Sequence, residues 1–222
     1  DDDESLSARW KLQKRALQTL LNFQDRHRKL YDGAAAAAAK LLVPAVQQQA
    51  AGARKLLPDR VLALCFDALS RSAEHGTHQK FVLPHLGRLL EKAVFPAVCL
   101  SAADRELWFE DEEEYLARNL DVADGLHEEH FTARRSALSF VEVLASVVPQ
   151  QSGGSGGAAP KKGKGKGNKS KGKRGPQGGT PFDAVVKFAD SVLAACAGAD
   201  AASFETQSRH SGALMVYAAS AD

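Results

Sequence analysis

The chain has 222 residues, of which 44% are hydrophobic and 25% charged, a composition that supports a sizeable packed core and excludes wholesale disorder. Its formal net charge of +2 averages two unlike regions: eight Lys/Arg and no acid lie within residues 161–174, and the remaining 21 basic against 27 acidic residues leave −6 elsewhere. Such an asymmetry predicts partners of opposite sign for the two parts. Cys65, Cys99 and Cys196 are widely spaced and set among apolar residues. That spacing predicts buried free thiols in a reducing compartment, not a disulfide framework or zinc site. The acidic start has no signal-peptide character, and no apolar run approaches the roughly 20 residues of a membrane span. A soluble, intracellular protein is therefore expected, with no membrane partner.

In chain order, Leu6, Trp10, Leu17, Leu20 and Leu21 recur at helical spacing and predict an amphipathic helix over residues 5–30, stopped by Tyr31, Asp32 and Gly33. The alanine tract 34–39 leads into a second helix, which Pro44 should kink or restart. Pro58 sits where a first-turn proline belongs. After it, Val61, Cys65, Ala68 and Leu69 form the stripe of a third helix, closed by Gly76. Phe81, Leu83, Leu86, Leu90, Val94 and Ala97 mark a fourth, in which Pro84 predicts an early start and Pro96 a late kink. Ser101 followed by Asp104 is a helix-start signal. Trp108 and Tyr115 are expected in the core, because large aromatics chiefly supply buried area. Residues 121–125 predict a break. A helix is then expected over residues 132–148, another carries Val185, Phe188, Val192 and Cys196, and a buried helix ends the chain.

The Gly/Lys-rich stretch between the last predicted helices cannot bury enough apolar surface to offset its ordering entropy, which predicts a long disordered loop. No alternating strand pattern occurs. The expectation is all-α: about eight helices of roughly 12 to 25 residues, paired as in HEAT or armadillo arrays with a period of about 40 to 47 residues. The antiparallel pairs would form a right-handed superhelical solenoid. Residues 1–150 and 182–222 would carry the helical repeats and 151–181 the loop. Without a polar capping helix at either end, the chain reads as part of a longer solenoid.

Two charged constellations are candidate binding sites. Glu110, Asp111, Glu112, Glu113 and Glu114 form an acidic rim that would accept a basic protein segment, or would simply be a solvated turn. Lys161, Lys162, Lys164, Lys166, Lys169, Lys171, Lys173 and Arg174 would contact phosphate weakly and without sequence preference. They lack the aromatic neighbours that stack single-stranded bases. The same loop could instead occupy the chain's own acidic face, or be a linker insertion. No catalytic site is assembled: the carboxylates are neighbours in a run, and no nucleophile elbow or phosphate-cradling loop is present. The pairs His127/His130 and His75/His78 have i, i+3 spacing and no evident third ligand, so no metal is expected. No cofactor is expected either.

Four blocks, in order, resemble the importin-β (karyopherin) family, in the branch that includes importin seven and importin eight with their plant and yeast relatives. They are RWKLQKRAL (9–17), LPHLGRLLEKAVFPAVC (83–99), ELWFEDEEEYLARNLD (106–121) and the Gly212-Ala213-Leu214 triplet. Glu112, Ala117 and Ser211 depart from the family pattern, which usually has proline, arginine and aspartate there. The resemblance implies a middle segment of a nuclear import receptor, without enzymatic activity, located in cytoplasm, nucleus and at the nuclear pore. It implies basic cargo proteins, the GTP form of the Ran GTPase and FG-repeat nucleoporins as partners. The alternative from the residues themselves is a helical scaffold that binds RNA or ribosomal components through the basic loop.

Overall fold

In the computed structural model, residues 2–48, 57–119, 132–147 and 179–221 are described. They are helical throughout, without a strand among the described residues. The long helices are α1 (Asp2–Arg26), α2 (Arg28–Gln48) and α3 (Asp59–Glu74), followed later by α9 (Ala133–Ser146), α10 (Pro181–Ala197) and α11 (Phe204–Ala221). Between α3 and α9 lies a broken helix: α4 (Gln79–Val82), a 3-10 turn (Leu83–His85), α5 (Leu86–Leu89), a π turn (Leu90–Val94) and α6 (Phe95–Val98). Two short helices follow it, α7 (Ala102–Glu110) and α8 (Glu112–Asn119).

The long helices form two rows. In one, α1 packs on α3, α3 on α9, and α9 on α11; in the other, α2 packs on the broken helix from α4 to the π turn, and α5 and the π turn pack on α10. Each row also packs across on the other, through α2 with α3, α6 with α9, and α10 with both α9 and α11. Consecutive helix pairs stacked on their neighbours make this an all-α, HEAT-like solenoid segment. The first-row helices start at Asp2, Asp59, Ala133 and Phe204. Their spacing exceeds the expected repeat period because α7, α8 and the connecting stretches are inserted between pairs. That is why the repetition is faint in the sequence.

The core lies between the rows. Phe66 and Leu69 of α3 meet Phe140, Val141 and Leu144 of α9, with the Phe66 and Phe140 rings 6.2 Å apart. Leu89, Leu90 and Val94 close it from the second row. The expected stripe on α3 is broader than predicted: Leu62, Ala63, Leu64 and Phe66 are buried along with Val61, Cys65, Ala68 and Leu69. A helix flanked on both sides within its row and covered by the other row has little face left for solvent. Burial pushes the Cys65 thiol up to about 12 and the Cys99 thiol up to about 11. Both remain protonated and unreactive at neutral pH.

The expected stop at Tyr31, Asp32 and Gly33 is not where the first helix ends. The chain turns at His27, and Tyr31 to Gly33 lie inside α2. Tyr31 is fully buried, packed edge-on to Phe23 and His78. The Gln24 amide bridges from α1 to the Tyr31 hydroxyl at 2.9 Å and to Ser72 of α3 at 3.1 Å. Tertiary packing thus overrides the roughly 1 kcal/mol helix penalty of Gly33. Buried Ala35, Ala38 and Ala39 place the small face of the alanine tract inward. The helix continues through Pro44 without restarting. Pro58 stands just before α3 rather than within its first turn, and its carbonyl accepts the Val61 and Leu62 amides.

Pro84 does not start the fourth helix, which already begins at Gln79, and the departure from regular helix near Pro96 takes the form of a π turn. Pro84 lies in the 3-10 turn, and Pro96 follows a π turn in which the Phe95 amide reaches back to the Leu90 carbonyl. A wider turn next to a residue that lacks an N–H absorbs the missing hydrogen bond.

Candidate interaction site at the turn between α7 and α8

The acidic run sits on an excursion from the solenoid, with α7 and α8 packing chiefly on each other. Ser101 and Asp104 start α7 as a reciprocal capping box. The Asp104 carboxylate accepts the Ser101 amide at 2.7 Å, and the Ser101 hydroxyl accepts the Asp104 amide at 3.1 Å. Asp111 then leaves helical geometry, and its carboxylate accepts the Glu114 amide at 2.9 Å, which starts α8. Glu112, Glu113 and Glu114 fall in the first turn of that helix, where negative charge suits the positive end of the dipole. Glu110, Asp111, Glu112 and Glu113 are exposed and Glu114 is half-buried. Five carboxylates are thereby presented on one turn.

The base of this excursion is clamped by the solenoid. Arg134, buried near the start of α9, binds Asp104 with Nη2 2.6 Å from Oδ2, and also donates to the Cys99 carbonyl at 3.1 Å. Ser208 of α11 donates to the Leu100 carbonyl at 2.7 Å. Burial would raise the Asp104 carboxyl, but the hydrogen bonds from Arg134 and Ser101 outweigh it and hold that group below the usual carboxylate range. Local sequence carries no sign of this role: a cation two residues after the N-cap Thr132 looks like a surface residue, and only the meeting of α7 with α9 buries it.

Trp108 does not join the core as expected; it is 41% exposed, and Phe109 is 76% exposed. The reason is positional: α7 stands outside the two rows and has no second layer against it. Trp108 instead stacks edge-to-face on half-buried Tyr115, 5.1 Å away, which holds α7 to α8. With Leu100, Phe109, Phe204 and Gln207 these rings line a groove of about 580 Å³ between the excursion and the start of α11. The Arg105 guanidinium lies over both Phe109 and Phe204, 5.9 and 5.3 Å from the ring centroids. Phe109 and Tyr115 join this groove to the acidic turn between them, so the two together can take a segment that offers both apolar and basic side chains.

The other sequence candidates, Lys161 to Arg174 together with His127 and His130, lie outside the described residues. No helix among the described residues is long and apolar enough to cross a membrane.

The fold defines an all-α, HEAT-like segment that carries a charged, partly aromatic excursion. Over 88 residues, 40% of its length, the chain is 35% identical to the importin beta-like SAD2 homolog of Arabidopsis thaliana. Over 69 residues it is 30% identical to importin-8 of Mus musculus and of Homo sapiens. The chain thus shares a segment with importin-β-like proteins, a stretch shorter than the span of residues 9–214 over which the four blocks lie. The aligned stretches span only 8% and 7% of those relatives' lengths. No protein-family model matches the chain. No solved structure matches it either.

Proposed function

We propose that this chain is a segment of a nuclear import receptor, a non-catalytic protein that carries basic protein cargo between cytoplasm and nucleus. In this reading it works with the GTP form of Ran and with FG-repeat nucleoporins at the pore. The observation that carries the binding part is the presentation of Glu110, Asp111, Glu112, Glu113 and Glu114 on one clamped turn beside an aromatic groove. The partial similarity to importin-β-like proteins supports the transport part. A solenoid suits the task because small changes between many stacked pairs alter its curvature, which couples occupancy at separate sites.

The binding part is tested by changing the four glutamates to glutamine and Asp111 to asparagine in the full receptor. Asparagine retains the cap of α8, so any loss of helix content should be confined to that short helix, whose first turn loses the favourable dipole contribution of the glutamates. Affinity for a Lys/Arg-rich cargo peptide at low ionic strength should fall roughly 10- to 100-fold, mainly through association rate, with a flatter salt dependence. Titration by fluorescence anisotropy reads this directly. Unchanged affinity and salt slope would leave the run as a solvated helix start.

A further inference from the structure

The spacing of His75 and His78 suggests no metal site because a third ligand is missing from the surrounding sequence. The fold supplies one. Asp32, on α2, is brought against the turn between α3 and α4 that carries both histidines, and one donor atom from each of the three residues lies within 4.8 Å of the others. His78 is buried, its ring fixed by Tyr31 edge-on at 5.2 Å, and its Nε2 stands 2.7 Å from Asp32 Oδ1. The His75 ring stacks on His78 with centroids 4.4 Å apart, and its Nδ1 is 2.8 Å from the Thr77 hydroxyl. Asp32 is exposed and His75 half-buried, so the cluster opens to solvent on one side.

The geometry points to a binding site for a zinc-class divalent cation formed by Asp32, His75 and His78. Two imidazoles and one carboxylate match the borderline-soft preferences of Zn²⁺, Co²⁺ or Ni²⁺ and fall short of the oxygen ligands that Ca²⁺ or Mg²⁺ demands. Three protein ligands leave a fourth position for water or for a group from a partner. Metal–ligand bonds of about 2.0–2.1 Å set tetrahedral ligand atoms roughly 3.3 Å apart, so the 2.7 Å contact between His78 and Asp32 opens slightly while the wider separation closes. His75, in a short turn at the open side, is the ligand placed to move inward. The ion would take over the contact between His78 and Asp32 and join α2 to the α3–α4 turn, that is, one helix pair to the next. Arg28, one turn before Asp32, is the nearby charge that opposes it.

Co²⁺ titration of the metal-stripped full chain tests this, because the ion reports its own coordination through visible d–d absorption. One equivalent should bind, Zn²⁺ should displace it, and saturating Zn²⁺ should raise the thermal midpoint while Mg²⁺ and Ca²⁺ do not. Asp32→Asn and His75→Ala, both at solvent-accessible positions, should each weaken binding at least about tenfold. Circular dichroism of the apo variants should match the parent and so separate loss of ligation from loss of fold. Absence of a d–d band and of any Zn²⁺ shift would overturn the assignment. So would binding that both variants retain at parental affinity.

Discussion

Replacing Asp104 with alanine is expected to destabilise the chain by about 2–4 kcal/mol, somewhat under the full cost of removing one partner from a buried ion pair because the carboxylate side is itself partly exposed. Its partner Arg134 has a side chain only 8% exposed and approaches the carboxylate with Nη2 at 2.6 Å and Nη1 at 3.4 Å. Without the carboxylate, the guanidinium stays inside the fold without the charge partner it has in the parent, while its hydrogen bond to the Cys99 carbonyl remains. The same substitution removes the acid of the capping box, so the Ser101 amide loses its acceptor, while the Ser101 hydroxyl still caps the amide of residue 104. Replacing both residues by apolar side chains of similar volume should recover much of the loss, since the pair's own desolvation is then no longer incurred. Urea denaturation of the parent, the two single variants and the double variant forms the necessary cycle.

The same contact has a pH signature. The folded carboxyl of Asp104 is held below its unfolded value of about 3.9. Its stabilisation is therefore fully present above that value and is lost as pH falls through the folded pKa. Asp183, depressed by hydrogen bonds from Thr180 at the start of α10, acts in the same direction. The acid limb of stability should be shallower in Asp104→Asn than in the parent, with little difference near neutrality in the slope of stability against pH.

Gly212→Leu should have an effect of comparable direction and of at least about 1–3 kcal/mol, the usual cost of overfilling a packed contact. A Cβ added at Gly212 would lie 2.9 Å from Cys99 Sγ, 3.3 Å from Phe95 Cε2 and 3.4 Å from the Cys99 backbone. Glycine here lets α11 approach the end of α6 where Phe95, Val192, Cys196 and Ala213 form a second cluster of the core. Alanine is a milder case: the Cys99 side chain can shift a little, and about 1 kcal/mol of helix propensity is gained. Leu214, next but one, is 49% exposed, and its replacement by alanine should be nearly silent. A thermal-melting series of the three variants discriminates close approach at Gly212 from a general sensitivity of α11. It also gives a packing reason for glycine at the head of the Gly-Ala-Leu triplet.

What could be read from the sequence was local. The Ser101/Asp104 start, the stripe of Ala137, Phe140, Val141 and Leu144, and the stripe of Val185, Ala189, Val192 and Cys196 all follow from contacts within four residues along one helix. The acidic rim was legible for the same reason, as a consecutive run. Features set by how pairs meet were not. Tyr31 looks like a stop beside Asp32 and Gly33 until α1 and α3 bury it. Trp108 looks like core until α7 is found outside both rows. Arg134 and Asp104 lie 30 residues apart, and Asp32 and His78 46 apart, separations over which charge patterning carries no register.

Most direct for the central claim is capture of Ran by the full-length protein, comparing the GTP and GDP forms while a basic cargo is bound. An import receptor should select the GTP form and release the cargo as it binds. Equal binding of both forms, or none, with cargo retained, would contradict the account and leave a helical scaffold with a charged turn.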